Sequence, residues 1–144
     1  MPERAAAPPI YGAMKTDERL MRELTGAAAG LLLMSESDHP LEVIRWGAEP
    51  TAEFLRGLTG HGPSAPVEER SPAEFFRAPT SEPEWKTGAE LETARRFQSL
   101  RRLLEENLEG LKVYRVGEID MPVYVVGRTP AGSWVGLRTR VVET

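Results

Sequence analysis

The sequence predicts an α+β fold in which a mostly antiparallel β-sheet carries helices packed on it. Two observations lead to this class. Three strand-like runs, LKVYRVGE at 111–118, PVYVVGR at 122–128 and SWVGLRTRVVE at 133–143, follow one another closely. Joins that short permit only antiparallel neighbours. Ahead of them, Leu91, Ala94, Phe97, Leu100, Leu104 and Leu108 recur at three- and four-residue steps, which predicts a long helix over 88–108 with one apolar face.

The remaining elements follow in order. Thr16 before Asp17 and Glu18 is an N-cap with acids in the first turn, and Leu20, Met21, Leu24, Ala27 and Ala28 keep helical spacing, so a helix is expected over 17–29 with Gly30 just past its end. Leu31 to Met34 reads as a short buried strand, SESDHP at 35–40 as a polar loop, and LEVIRW at 41–46 as the returning strand of a hairpin. Thr51 caps a short helix over 52–58, and TGHGPSAP at 59–66 is a Gly/Pro-rich loop. In SPAE at 71–74, Ser71 is an N-cap, Pro72 stands at N1 and Glu74 at N3, opening a short helix with Phe75 and Phe76. APTSEPEW at 78–85 reads as a loop carrying Trp85, and Gly110 as the stop of the long helix. IDM at 119–121 is a reversal, and TPAG at 129–132 matches a type I turn. Alternation persists to the last residue, so Thr144 tips a strand that is either central or an edge.

Composition narrows the function. With 144 residues, 40% hydrophobic and 28% charged, residues 16–144 are expected to form one domain behind a disordered extension over 1–15. The absence of cysteine excludes disulfides, zinc–thiolate sites and thiol nucleophiles. The N-terminal stretch lacks a signal-peptide layout, and the longest apolar-rich run, AAAGLLLM, is far short of the roughly 20 residues a span needs, so a cytoplasmic protein without membrane insertion is expected. Residues 35–92 hold 12 acids and 5 bases, whereas the rest of the chain holds 10 acids and 13 bases. That acidic middle argues against direct nucleic-acid binding and is compatible with a basic partner, or simply with a solvated surface.

Few residues carry chemistry. His39 and His61 are the only histidines, and their separation fits no local metal motif. His61, within GHG, reads first as a residue shaping a turn. No nucleophile elbow, HExxH or P-loop is present, so a non-catalytic protein is expected, with a small hydrolase using His39 or His61 the least favoured reading. The tip SESDHP reads either as a turn capped by its own hydroxyls or as an anionic prong for an arginine- or lysine-lined site. Trp85, among Glu82, Pro83, Glu84 and Lys86, is either a core residue or an exposed interface anchor. Trp46 and Trp134, inside strands, are expected in the core. Thr144 brings a hydroxyl and the free α-carboxylate to the tip of a structured element, oxygens that could bind a metal, act as a phosphate-like anion or do nothing.

Taken in order, LLLMSESDHPLEV, LTGHGPSAP, FFRAPTSEPEW and VYRVGEIDMPVYVVGRTPAGSWVGLRTRVVET resemble the nuclease A inhibitor family, from about residue 20 to the end. That resemblance implies an α/β/α sandwich around the sheet. It also implies an inhibitor of a magnesium-dependent nuclease that cuts DNA and RNA alike; the chain is expected to be monomeric when free and to need no cofactor. Position by position, Glu36 would approach basic residues near the nuclease active site, and Trp85 would pack on the nuclease surface. Thr144 would direct its hydroxyl at the catalytic magnesium in place of a substrate phosphate oxygen. His39 stands where the family pattern has a tyrosine beside the acidic loop. The competing reading is a protein-interaction domain of the same fold with a non-nuclease partner.

Overall fold

The computed structural model describes residues 15–144. The extension expected over 1–15 falls, apart from Lys15, outside the described residues. Chain order is α1 (Asp17–Ala28), β1 (Leu32–Met34), β2 (Asp38–Pro40), β3 (Glu42–Trp46), α2 (Ala52–Leu58), β4 (Val67–Arg70), α3 (Pro72–Thr80), α4 (Gly88–Asn107), β5 (Glu109–Val116), β6 (Asp120–Arg128) and β7 (Trp134–Val142). β3, β7, β6, β5 and β4 form one antiparallel sheet in that spatial order, and β1 pairs with β2 in a separate hairpin. This is the expected α+β class.

Strand alternation divides the core into two layers. Val113, Val123, Val125, Val135, Leu137 and Val141 face one side, where they meet Leu20 and Leu24 of α1, Phe76 of α3, and Phe97, Leu100 and Leu104 of α4. Tyr114, Val116, Tyr124, Val126 and Trp134 face the other, where Leu55 of α2 is fully buried against them. Helices therefore cover both faces, and the arrangement is an α/β/α sandwich. Among the described residues, no helix is long and apolar enough to cross a membrane.

The capping chemistry read from sequence is formed. The hydroxyls of Thr16, Thr51 and Ser71 accept from the backbone N–H groups of Arg19, Phe54 and Glu74 at 3.1, 3.0 and 3.1 Å. Buried Asp17, at the start of α1, accepts from Arg45 Nε of β3 at 3.2 Å and so joins helix to sheet. Trp134 is buried as expected, and Trp46 is half-buried with its ring 5.1 Å from Phe54 and 5.3 Å from Tyr124.

Five local readings need correction. First, Leu31–Met34 does not pair with 41–46. The hairpin closes on Asp38–Pro40, and β3 pairs with β7, with Glu42 opposite Arg138 and Trp46 opposite Trp134. β3 packs Val43 on one core layer and Ile44 and Trp46 on the other, which only a strand inside a two-faced sheet can do. Second, α3 runs to Thr80 through Pro79, because the Thr80 hydroxyl caps Phe76 O at 2.6 Å and Lys86 Nζ reaches Ala78 O at 3.3 Å. Third, α4 stops at Asn107. Gly110 lies within β5 at φ +63°, where the β5–β6 register shifts between Glu109 and Lys112. Fourth, β4 is a strand the sequence did not reveal: VEER has one packed apolar residue, Val67, and is held as an edge by its ladder to β5. Fifth, the reversal expected at 119–121 sits slightly earlier, with Gly117 at φ +96° and β6 beginning at Asp120.

The position of β7 is settled. It is an internal strand, paired with β6 along its whole length from Trp134 to Val142, and with β3 only as far as Arg138.

Candidate functional site

The last residues of β7 extend past the end of β3, and the tip of the β1–β2 hairpin takes the vacated edge. Glu36 N–H donates to Val142 O at 3.1 Å, and Val142 N–H donates to Ser35 Oγ at 3.0 Å. The Ser35 hydroxyl in turn donates to Ser37 O at 3.0 Å, which turns its lone pairs toward Val142. On the opposite edge, Glu143 N–H donates to Ile119 O at 2.9 Å, and Arg115 Nη2 donates to Glu143 Oε1 at 2.6 Å. The strand end is thus gripped from both sides by segments distant in sequence.

Glu36 and Thr144, read separately in the sequence, form one unit. Thr144 N–H donates to Glu36 Oε2 at 2.6 Å, and the Thr144 hydroxyl lies 2.9 Å from both carboxylate oxygens. The prong is therefore not a free anion, because its carboxylate is folded onto the strand tip. A hydroxyl has one proton and two lone pairs. With the proton committed to a carboxylate, the Thr144 oxygen becomes a better electron-pair donor toward anything beyond it. Both residues are exposed, and Met34 (77% exposed) and Ile119 (56%) give this polar tip apolar neighbours.

Trp85 belongs to a different loop, between α3 and α4, and is 67% exposed. Exposure resolves the two sequence readings against the core. The loop is tied down around it. Lys86 Nζ donates to Ala78 O and Ser81 O and lies 5.6 Å from the Trp85 ring centroid. Glu82 accepts from Gln98 Nε2 at 2.6 Å and from Arg95 Nη2 at 3.5 Å, and these bonds hold its carboxyl below the usual range. A cleft of 370 Å³ beside the tip is lined by Glu36 and Glu143 and by Ala78 and Pro79 of α3.

The histidines serve the frame. His61 donates its backbone N–H to Arg56 O at 2.8 Å, and its Nδ1 is 2.7 Å from Thr59 Oγ1. Its Nε2 lies where a Cβ on Gly117 would come within 2.9 Å, so it packs the 59–66 loop on the β5–β6 turn. His39 Nε2 is 2.7 Å from Ser37 Oγ at the hairpin tip. Among the described residues, no group of three or more His, Asp or Glu side chains is gathered to hold a metal.

Part of the acidic middle of the chain is answered from within. Glu42, Glu49 and Glu82 pair with Arg138, Lys112 and Arg95, all of which come from the basic remainder. Sequence charge alone could not show this, since each pair joins residues far apart in the chain.

Residues 18–144 match the family model described as nuclease A inhibitor-like protein, NuiA. The chain belongs to the nuclease A inhibitor-like family. No curated protein matches it. Membership places this nuclease A inhibitor-like chain among nuclease-inhibitor-type proteins in general, and the match reaches the Glu36–Thr144 tip itself. Sequence reading missed Arg115, Met34 and Ile119 as parts of that tip. Arg115 gave no signal, because it approaches Glu143 across the sheet, whereas an exposed methionine beside the polar loop was at least visible in LLLMSES.

Proposed function

We propose that this protein inhibits a magnesium-dependent, sugar-non-specific nuclease by seating the Glu36–Thr144 tip in the nuclease active site. The observation that carries the reading is the Thr144 hydroxyl held on the end of an internal strand with its proton given to Glu36. Magnesium takes oxygen ligands and keeps most of its waters, leaving few positions open. A hydroxyl oxygen delivered on a braced strand fills one of them as a phosphate oxygen would, yet offers no phosphorus to attack. Glu36 adds negative charge beside it, facing the cationic surroundings that bind substrate phosphates. Trp85, exposed on its tethered loop, is the rim anchor that packs on the nuclease surface. The chain itself performs no catalysis, holds no cofactor, binds no nucleic acid and acts as a cytoplasmic monomer.

The test is a cleavage assay with the purified chain and a magnesium-dependent non-specific nuclease from the same source. Micromolar protein should suppress cleavage of both DNA and RNA, and its failure to do so would sink the proposal. Thr144→Ala should weaken inhibition about tenfold or more, the loss expected for one well-placed metal-directed contact, while leaving thermal unfolding unchanged. A tag appended after Thr144 should have the same effect. If inhibition is insensitive to both changes, binding occurs elsewhere, as a side-face interaction domain would require.

A further inference from the structure

We infer that Ser35 and Arg115 are positioning residues for Thr144. They set the strand tip in its working geometry without themselves touching the nuclease, an inference that rests on the function proposed above.

The reason begins with the sheet. β3 ends opposite Arg138, so one edge of β7 beyond that point lacks a strand from the main sheet. Exposed chain ends without partners fray. The Ser35 hydroxyl and the Glu36 N–H together do there what a strand would do, taking the N–H and the C=O of Val142. Ser35 is suited to this because its own proton is spent on Ser37 O, which leaves it an acceptor toward Val142.

The other edge needs a different device. Ile119 O takes the Glu143 N–H, and the Glu143 side chain is caught by Arg115. The Arg115 side chain is only 16% exposed, against 58% for Glu143, so the guanidinium is a fixed post reached by a surface carboxylate. Its Nη2 also lies 3.5 Å from Met121 Sδ, and its Nε is buried without a partner among the described residues. Burying an arginine this way costs stability. Core packing alone does not account for it, whereas holding Glu143, the residue before Thr144, does.

Both anchors act on residues 142 and 143, and Glu36 then orients 144. Removing either anchor frees backbone that must be ordered again on binding, which corresponds to roughly tenfold in affinity per residue released.

The experiment uses Ser35→Ala and Arg115→Met in the full chain, each in the parent background and in a chain lacking Thr144. Each should raise the inhibitory concentration about tenfold in the parent and less than about twofold where Thr144 is missing, because nothing remains to be positioned. Equal losses in both backgrounds would overturn the inference. Ser35→Thr, which keeps the hydroxyl, should inhibit as the parent does, and Ser35→Cys, of similar shape but a weak acceptor, takes the place of the alanine variant in the cycle should that one not fold. A second readout needs no nuclease: Ser35→Ala and Arg115→Met should speed amide hydrogen exchange at Glu143 and Thr144 in the free protein. Unchanged exchange there would overturn the inference even if inhibition fell. If the parent chain inhibits no nuclease, the proposed function fails, and the exchange measurement still decides the positioning roles.

Discussion

Trp85→Ala separates surface from scaffold. The residue keeps 67% of its surface exposed. A tryptophan side chain offers roughly 200 Å² for burial, so about 130 Å² is free for a partner and about 70 Å² is already used. At about 25 cal/mol per Å², that corresponds to about 3 kcal/mol in a complex and at most about 1.8 kcal/mol in the fold. The alanine variant should therefore bind the nuclease roughly two hundredfold more weakly. Its midpoint of thermal unfolding should fall by no more than about 6 °C. Calorimetric titration against the nuclease gives the first number and a melting curve the second. An affinity within about threefold of the parent would remove Trp85 from the interface. A melting point lower by more than about 10 °C, on the same scale, would show that the ring holds the α3–α4 loop together, and the area reasoning would be wrong.

Two further perturbations test the frame. Gly136 sits opposite Ile44 and Val126, and an added Cβ would lie 1.8 Å from Val125 O. Gly136→Ala must push two central strands apart and should cost at least about 3 kcal/mol in denaturant unfolding. A loss below about 1 kcal/mol would mean that the strands part easily there. Asp17 is the second. Burial pushes its carboxyl up, but the neighbouring Ser133 and Thr129 hydroxyls and the Arg45 guanidinium outweigh this and leave it below its ordinary value of 3.8. Its stabilising contribution is thus present in full above that value and is lost as pH falls through the lower folded value. Asp17→Asn should cost about 1–2 kcal/mol at neutral pH, since the half-exposed Arg45 partner is easily rehydrated. That gap should stay level down to about pH 5 and close in stronger acid. A gap that widens on acidification would reverse the assignment.

Much of this architecture was legible because its causes are local. The caps at Thr16, Thr51 and Ser71 and the apolar stripe of α4 each act within a few residues. The two turns that join β5, β6 and β7 are short enough to dictate antiparallel pairing. Misreadings fell where a distant partner decides. LEVIRW has the composition of a hairpin return, yet its two apolar faces are satisfied only between the core layers of the large sheet. VEER has no strand pattern of its own and exists as β4 because β5 supplies the ladder. APTSEPEW reads as a loop from Ala78 onward, but Thr80 and Lys86 side chains satisfy the carbonyls of the last turn of α3.

The site divides along the same line. Glu36, Trp85 and Thr144 could be singled out from residue type and motif order, and the exposure of Trp85 was one of two open readings. That Glu36 binds Thr144, and that Ser35 and Arg115 brace the residues before it, joins positions 28 to 108 residues apart. By itself, the sequence determined the four helices and the three antiparallel strands of the last third of the chain, because spacing, capping and short turns act locally. Only the tertiary structure decided that this strand is internal, that its outermost edge is closed by a hairpin tip, and that its final hydroxyl is held by a carboxylate. Those outcomes depend on which distant groups meet once the sheet closes, and no local pattern encodes such a meeting.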